Sequence, residues 1–271
     1  MSPQIAFLGA GNMANAMVSG LLANGFAPDQ LRASDPSEAA LSRLQSLGLT
    51  RVDVAPTSVF EGADLVVVAV KPQIVPTALA AIRDQLSADS ALLSIAAGIP
   101  IASLQSHVGD EVGVIRCMPN TPAMIGLGAS ALFAPALVSD AHRTLAETVT
   151  NAVGTTVWVA SEALLDAVTA VSGSGPAYFF ALIEAISQAG TALGLDEETA
   201  MTLTLQTALG AAALAQQSSE GVATLRQNVT SPGGTTEEAL KSLSANQFDA
   251  VIAEAVRQCA ARASTLGKEF G

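Results

Sequence analysis

The stretch that most restricts this chain is "IAFLGAGNMANAM", residues 5–17. Its first four residues are apolar without interruption, as in a strand covered on both faces. Gly9, Gly11 and Ala14 then occupy the three positions of a G-x-G-x-x-G/A turn, and a helical pattern follows at once. The first glycine permits the turn, the second lets backbone approach a bulky anion, and the small third residue lets helix and strand pack closely. Strand, turn and helix in that order predict a dinucleotide pyrophosphate at the helix N-terminus, cradled by Gly9, Ala10, Gly11, Asn12 and Met13. The plainer reading of the same residues is a tight turn with no ligand.

The rest of the first half repeats this grammar. "LRAS" (31–34), "LVVVAV" (65–70), "ALLSIAA" (91–97) and "VGVIRCM" (112–118) read as further strands, and helices are expected over 12–24 and 37–47. "GASALFA" and "TTVWVA" read as extra strands finishing the sheet. Residues 1–160 are therefore predicted to form a Rossmann-type, mostly parallel α/β sheet. Residues 161–271 change character and read as helix after helix, an all-helical dimerisation and substrate domain. Several of those helices are apolar nearly all round, which marks burial on every side. A helical domain of that size cannot hide so much apolar surface alone, so interleaving with a second copy is expected.

Composition supports association and removes other partners. Only 13% of residues are charged, about half the usual share. A net charge of −12 with 12 scattered Lys and Arg opposes nucleic acid and anionic membranes as partners. The longest apolar runs fall short of the ~18 residues of a membrane span. With a strand starting at Ile5, no signal peptide is expected, and the reading is a soluble cytoplasmic protein. Cys117 and Cys259 have neither metal-ligand spacing nor disulfide density, so they read as reduced thiols. His107 and His142 are expected at the surface, and no set of side chains offers nucleophilic or metal chemistry. The chemistry is left to a cofactor, with the protein supplying position and electrostatics.

Candidate cofactor contacts cluster at the carboxyl ends of the strands. Asp35, about twenty residues past the glycine turn, suits a ribose 2′-hydroxyl and favours NAD, whereas Ser34 and Arg32 beside it suit the 2′-phosphate of NADP. NAD and NADP both stand as cofactors. Val70, Lys71 and Pro72 close one strand, with Lys71 placed to touch a ribose or phosphate or simply to be solvated. Ala96, Ala97 and Gly98 close the next, small enough for a flat nicotinamide to lie against the backbone. Asn120 and Thr121 offer hydrogen bonds between two prolines in "RCMPNTP".

A second glycine-rich turn, "NVTSPGGTT" (228–236), leads into the helical pattern "TTEEALKSL", where Thr235 and Glu238 have capping-box spacing. Free amides of Gly234, Thr235 and Thr236 would face an anion there. A well-capped helix start is the bland alternative. "SGSGPAY" (172–178) is expected to join two helices, chiefly as packing.

These segments together resemble the pyrroline-5-carboxylate reductases, nearly end to end. "SGSGPAYFF" joined to "NVTSPGGTTEEAL" is the specific part, whereas the first glycine turn is shared by many dehydrogenases. The resemblance implies reduction of the cyclic imine pyrroline-5-carboxylate to L-proline by NADPH or NADH, in a homodimer often built into a larger ring such as a decamer. It implies that "SPGGTT" lines the substrate pocket, with Ser231 on the carboxylate and Thr236 on the ring nitrogen as the catalytic pair, assisted by Gly234 and Thr235. It also places Asn228 near the nicotinamide and Glu162 near the substrate, although the helix dipole is an equal role for Glu162. An acidic residue of some relatives, about nine positions before Asn228, is replaced here by Ser219. Two other readings are weaker. A β-hydroxy-acid dehydrogenase needs a lysine in the helical half, where only Lys241 and Lys268 stand, in late segments. A redox sensor needs one anion turn rather than two.

Overall fold

A computed structural model describes residues 2–56 and 58–270. The strands are β1 (Ile5–Leu8), β2 (Leu31–Ser34), β3 (Arg51–Asp53), β4 (Leu65–Val68), β5 (Ala91–Ser94), β6 (Gly113–Met118), β7 (Gly128–Phe133) and β8 (Gly154–Trp158). They form one sheet in the order β3-β2-β1-β4-β5-β6-β7-β8, parallel throughout except where β6 meets β7. The order reverses beside β1, the position at which open α/β sheets bind ligands.

Register explains why uninterrupted apolar strands pack on two sides. Ile5 pairs with Leu31 and Leu65, Leu65 with Ala91, and Ala91 with Gly113, so odd and even positions segregate across the whole sheet. Ile5, Phe7, Leu31, Leu65 and Leu93 meet Met17 and Leu21 of α1 (Asn12–Ala23), Leu41 and Leu44 of α2 (Glu38–Ser46) and Leu145 and Val149 of α5 (Asp140–Asn151). Ala6, Leu8, Val66, Val68 and Leu92 meet Leu79 and Ile82 of α3 (Val75–Ile82) and Leu104 of α4 (Ile101–Val108). Each fully buried Leu or Ile contributes about 1.5–3 kcal/mol. Cys117 sits in the first of these cores, where burial pushes its thiol up to about 12 against a smaller lowering by Ser130, so it is protonated and inert at neutral pH. His107 and His142 are half-buried rather than fully at the surface, and His142 Nε2 lies 3.1 Å from the Asp89 carbonyl oxygen.

The helices after the sheet are α6 (Leu164–Val168), α7 (Gly175–Ala192), α8 (Glu197–Gln217), α9 (Val222–Asn228), α10 (Thr235–Ala245) and α11 (Phe248–Phe270). "SGSGPAY" joins two helices, with hardly a break between them. Thr169–Gly173 is a π-helical turn that continues α6 and is followed within two residues by the start of α7. Such turns are rare and frequent at functional sites.

Contacts divide the chain into two compact units, Met1–Ser174 with Cys259–Gly271, and Gly175–Gln258. The first extends past the sequence boundary at 160/161 for a packing reason. Leu165 and Ala170 are buried, α6 packs on β7, and the Cys259 thiol donates to Ser174 Oγ at 3.2 Å. In the second unit, Phe179 and Phe180 of α7 are 64% and 65% exposed, and Leu203, Leu209 and Leu214 of α8 are likewise exposed. Helices this apolar are left open by a single chain, the signature of an association surface.

Candidate active site

Gly9 and Gly11 do different work in the first turn. Gly9 has φ +102°, and a Cβ there would stand 2.7 Å from the Ala69 carbonyl oxygen, so β1 and the end of β4 touch through it. A Cβ on Gly11 would meet nothing within 4 Å. That open space faces the start of α1, whose N-cap, Gly11, makes no side-chain cap bond, leaving the first-turn amides of Asn12 and Met13 to an anion. The turn thus offers uncapped amides and open space at a helix start.

Asp35 braces this turn. Its Oδ2 accepts the Ala10 amide at 2.7 Å and its Oδ1 accepts the Ser37 amide at 2.8 Å. A carboxylate expected to take a ribose hydroxyl thus also ties the end of β2 to the loop. The two residues expected to serve a 2′-phosphate do not reach it. Arg32 is 4% exposed and donates to the carbonyls of Val59 and Glu61 and to Gln4 Oε1. Burial, with Arg51 nearby and Asp64 opposing, holds its pKa below the ordinary value. Ser34 is 3% exposed, and its carbonyl accepts the Gly9 amide at 2.8 Å. Alternation in the strand aims both side chains at the interior. The cation that does stand over the turn is Arg43 of α2, which sequence reasoning missed. It donates from Nη1 to Asn12 Oδ1 at 3.1 Å and from Nη2 to the Ala10 carbonyl at 3.4 Å. Helical spacing held the signal, since Leu41 and Leu44 face the sheet and leave Arg43 outward at its edge.

A cavity of about 270 Å³ lies at the carboxyl ends of β5 and β6, lined by Met13, Ile95, Ala97, Met118, Thr121 and Gly173 among others. Of the three small residues expected there, only Ala97 lines it. Ala96 is 5% exposed in the core, and a Cβ on Gly98 would stand 3.5 Å from Leu266 of α11. Asn120 lines the cavity too, but both ends of its amide are committed, to the Ser172 carbonyl at 3.0 Å and the Ala129 amide at 2.9 Å. It anchors the π-turn to the loop after β6. Val70 stands against Gly9, while Lys71 is exposed and caps the short 3₁₀ turn Pro72–Ile74.

Glu162 is engaged within the first unit. Its Oε1 accepts Arg116 Nη1 at 2.7 Å and the Ile101 amide, the first of α4, also at 2.7 Å. The dipole role therefore has geometry behind it, on α4 rather than on the helix Glu162 precedes. Arg116 is 13% exposed and loses its only ion-pair partner among the described residues when Glu162 is replaced. Glu162→Gln is expected to lower stability by about 1–3 kcal/mol, read as a depressed melting temperature. A melting temperature equal to that of the wild type would show the pair to be idle.

The second turn differs from expectation in detail. Gly234, not Thr235, is the N-cap of α10, so no Thr235–Glu238 capping box forms. Glu237 Oε2 instead accepts the Gly233 amide at 2.6 Å, and Glu238 Oε1 takes Lys241 Nζ at 2.8 Å. Gly233 has φ +67° after Pro232, and the Gly234 amide donates to the Ser231 carbonyl at 2.9 Å, which closes a type II turn. The Gly234 amide is consequently spent. The amides of Thr235 and Thr236, in the first turn of α10, have no side-chain cap. Asn228 Nδ2 donates to Glu220 Oε2 at 2.8 Å. An acid does face Asn228, one residue after Ser219, where sequence reasoning placed the gap.

Comparisons agree with this architecture. Residues 162–266 match the family described as pyrroline-5-carboxylate reductase dimerisation, and residues 4–98 match NADP oxidoreductase, coenzyme F420-dependent. The chain is 48% identical to a pyrroline-5-carboxylate reductase of Pseudomonas aeruginosa over 272 residues, covering 100% of this chain and 99% of the relative. It is similar to the solved structure of a pyrroline-5-carboxylate reductase from Coxiella burnetii, with TM-score 0.94, 36% identity and coverage of 98% and 99%. A pyrroline carboxylate reductase of Plasmodium falciparum, solved with NADP bound, has TM-score 0.84 at 29% identity, covering 98% of each chain.

Proposed function

The chain belongs to the pyrroline-5-carboxylate reductase family, and on that premise we propose how its residues share the reduction of pyrroline-5-carboxylate to L-proline, the final step of proline biosynthesis. NAD(P)H supplies the hydride. The turn Gly9–Met13 holds the pyrophosphate, and the cavity beside Ala97 and Thr121 receives the nicotinamide. The turn Ser231–Thr236 holds the substrate carboxylate through the Ser231 hydroxyl and the amides of Thr235 and Thr236. The Thr236 hydroxyl would hydrogen-bond the ring nitrogen; as the imine carbon takes the hydride, the C=N electron pair would pass to the nitrogen, whose proton, drawn from water, completes the amine. Asn228 is held by Glu220 three residues before the Ser231–Thr236 turn. The observation that carries this reading is the second turn itself, a helix start without a side-chain cap in a chain that already has one anion turn.

The division of labour falls near residue 160/161, supported by the dimerisation match beginning at 162, although the compact units part later. The exposed apolar faces of α7 and α8 support a homodimer, and a decamer is the proposed larger assembly. Two free thiols and the absence of any membrane-crossing helix among the described residues fit work in the cytoplasm. The test is oxidation of NADPH, and separately NADH, by the purified protein given pyrroline-5-carboxylate. Rapid turnover with proline as product is expected. A folded protein that binds either cofactor yet forms no proline would overturn the assignment.

A further inference from the structure

We propose that Arg43 admits the adenosine 2′-phosphate of NADP and makes NADPH the preferred cofactor; the proposal rests on the cofactor reading of the first turn. In doubly wound sheets the residue ending the second strand meets the ribose 2′-position, and a nearby arginine accommodates a 2′-phosphate. Arg43 stands at that corner, with its two terminal nitrogens on Asn12 Oδ1 and the Ala10 carbonyl.

Three observations single it out. Arg43 forms no salt bridge among the described residues, although acids outnumber Lys and Arg by 24 to 12 in the chain. Its present partners are neutral acceptors on the loop, the exposed Asn12 side chain and the Ala10 carbonyl, both exchangeable for a dianion. The competing cation is removed, because Arg32 is buried and bonded to three acceptors, with Ser34 buried beside it. Finally, Asp35 points its charge at backbone. Each of its oxygens already accepts an amide, from Ala10 and Ser37, which offsets the repulsion an acid here would exert on a phosphate. The planar fork of an arginine matches two phosphate oxygens at once, which a lysine does not.

Calorimetric titration of wild type, Arg43→Gln and Arg43→Lys with NADPH, NADH, 2′,5′-ADP and 5′-AMP tests this. The wild type should bind NADPH and 2′,5′-ADP more tightly than NADH and 5′-AMP. Arg43→Gln should weaken NADPH and 2′,5′-ADP by about 10- to 100-fold while NADH moves by less than about twofold, and Arg43→Lys should fall between. The wild-type preference should also shrink as salt is raised. Equal weakening of both nucleotides would overturn the proposal and put Arg43 on the pyrophosphate, and an unchanged NADPH affinity would overturn it outright. A wild type that binds neither nucleotide would fail earlier, taking the cofactor reading down with it. Retained NADH binding shows that the variant is folded.

Discussion

Gly9→Ala is expected to abolish cofactor binding and to cost the first unit about 2–4 kcal/mol of stability, whereas Gly11→Ala should fold normally and lose only affinity. A side chain at φ +102° is strained in itself, by about 1–3 kcal/mol. The added Cβ would also stand 2.7 Å from the Ala69 carbonyl oxygen and 2.9 Å from Val70 Cγ1. The first of these is backbone and cannot swing away. Relief requires the ends of β1 and β4 to part, at the expense of the Ala69 amide to Leu8 carbonyl and Gly9 amide to Ser34 carbonyl bonds, each 2.8 Å. Gly11 has φ −66° and open space, so its methyl would fill only the place proposed for the pyrophosphate. Thermal melting and nucleotide titration of the two variants separate the effects. A Gly9→Ala protein that melts with the wild type would show that the contact between the strand ends is slack.

The second large effect is expected at Thr236. Thr236→Val keeps shape and removes the hydroxyl, and should lower kcat about 100-fold with cofactor affinity unchanged, within the range for a group assisting proton movement. Ser231→Ala should act differently. Loss of one hydrogen bond to a carboxylate is worth about 1.5–3 kcal/mol and should appear mainly as a KM about 10- to 100-fold higher. Steady-state kinetics with pyrroline-5-carboxylate distinguish the two patterns. If both variants raise KM alone, Thr236 binds the substrate without assisting its chemistry.

The sheet was legible because burial on both faces leaves a plain mark, and the seven runs read as strands formed β1, β2 and β4–β8. β3 escaped because Arg51–Asp53, one exposed residue and two half-buried ones, carry no such mark. The two glycine-rich segments were legible as turns leading into helices, since backbone geometry follows closely from Gly and Pro. Side-chain direction was not. Nothing local shows that Arg32 turns inward, or that Asn120 spends its amide on Ser172 and Ala129. Those outcomes depend on which strand or helix arrives alongside, and so does that of Glu162, in the turn before α6, whose partner Arg116 belongs to β6. The π-turn was likewise hidden, because "SGSGP" satisfies a loop as readily as a widened helix.

The brace formed by Asp35 bears on how this enzyme can change over time. Between NADH- and NADPH-using sheets, the simplest exchange is to trade the acid ending the second strand for a neutral residue. Here that trade would free the Ala10 amide and loosen the phosphate turn for both cofactors alike. Selection, or an engineer, is left with the surface of α2, where residue 43 can vary without disturbing a core contact. Redox specificity in this chain should therefore drift through a helix face while the acid at its strand end stays put.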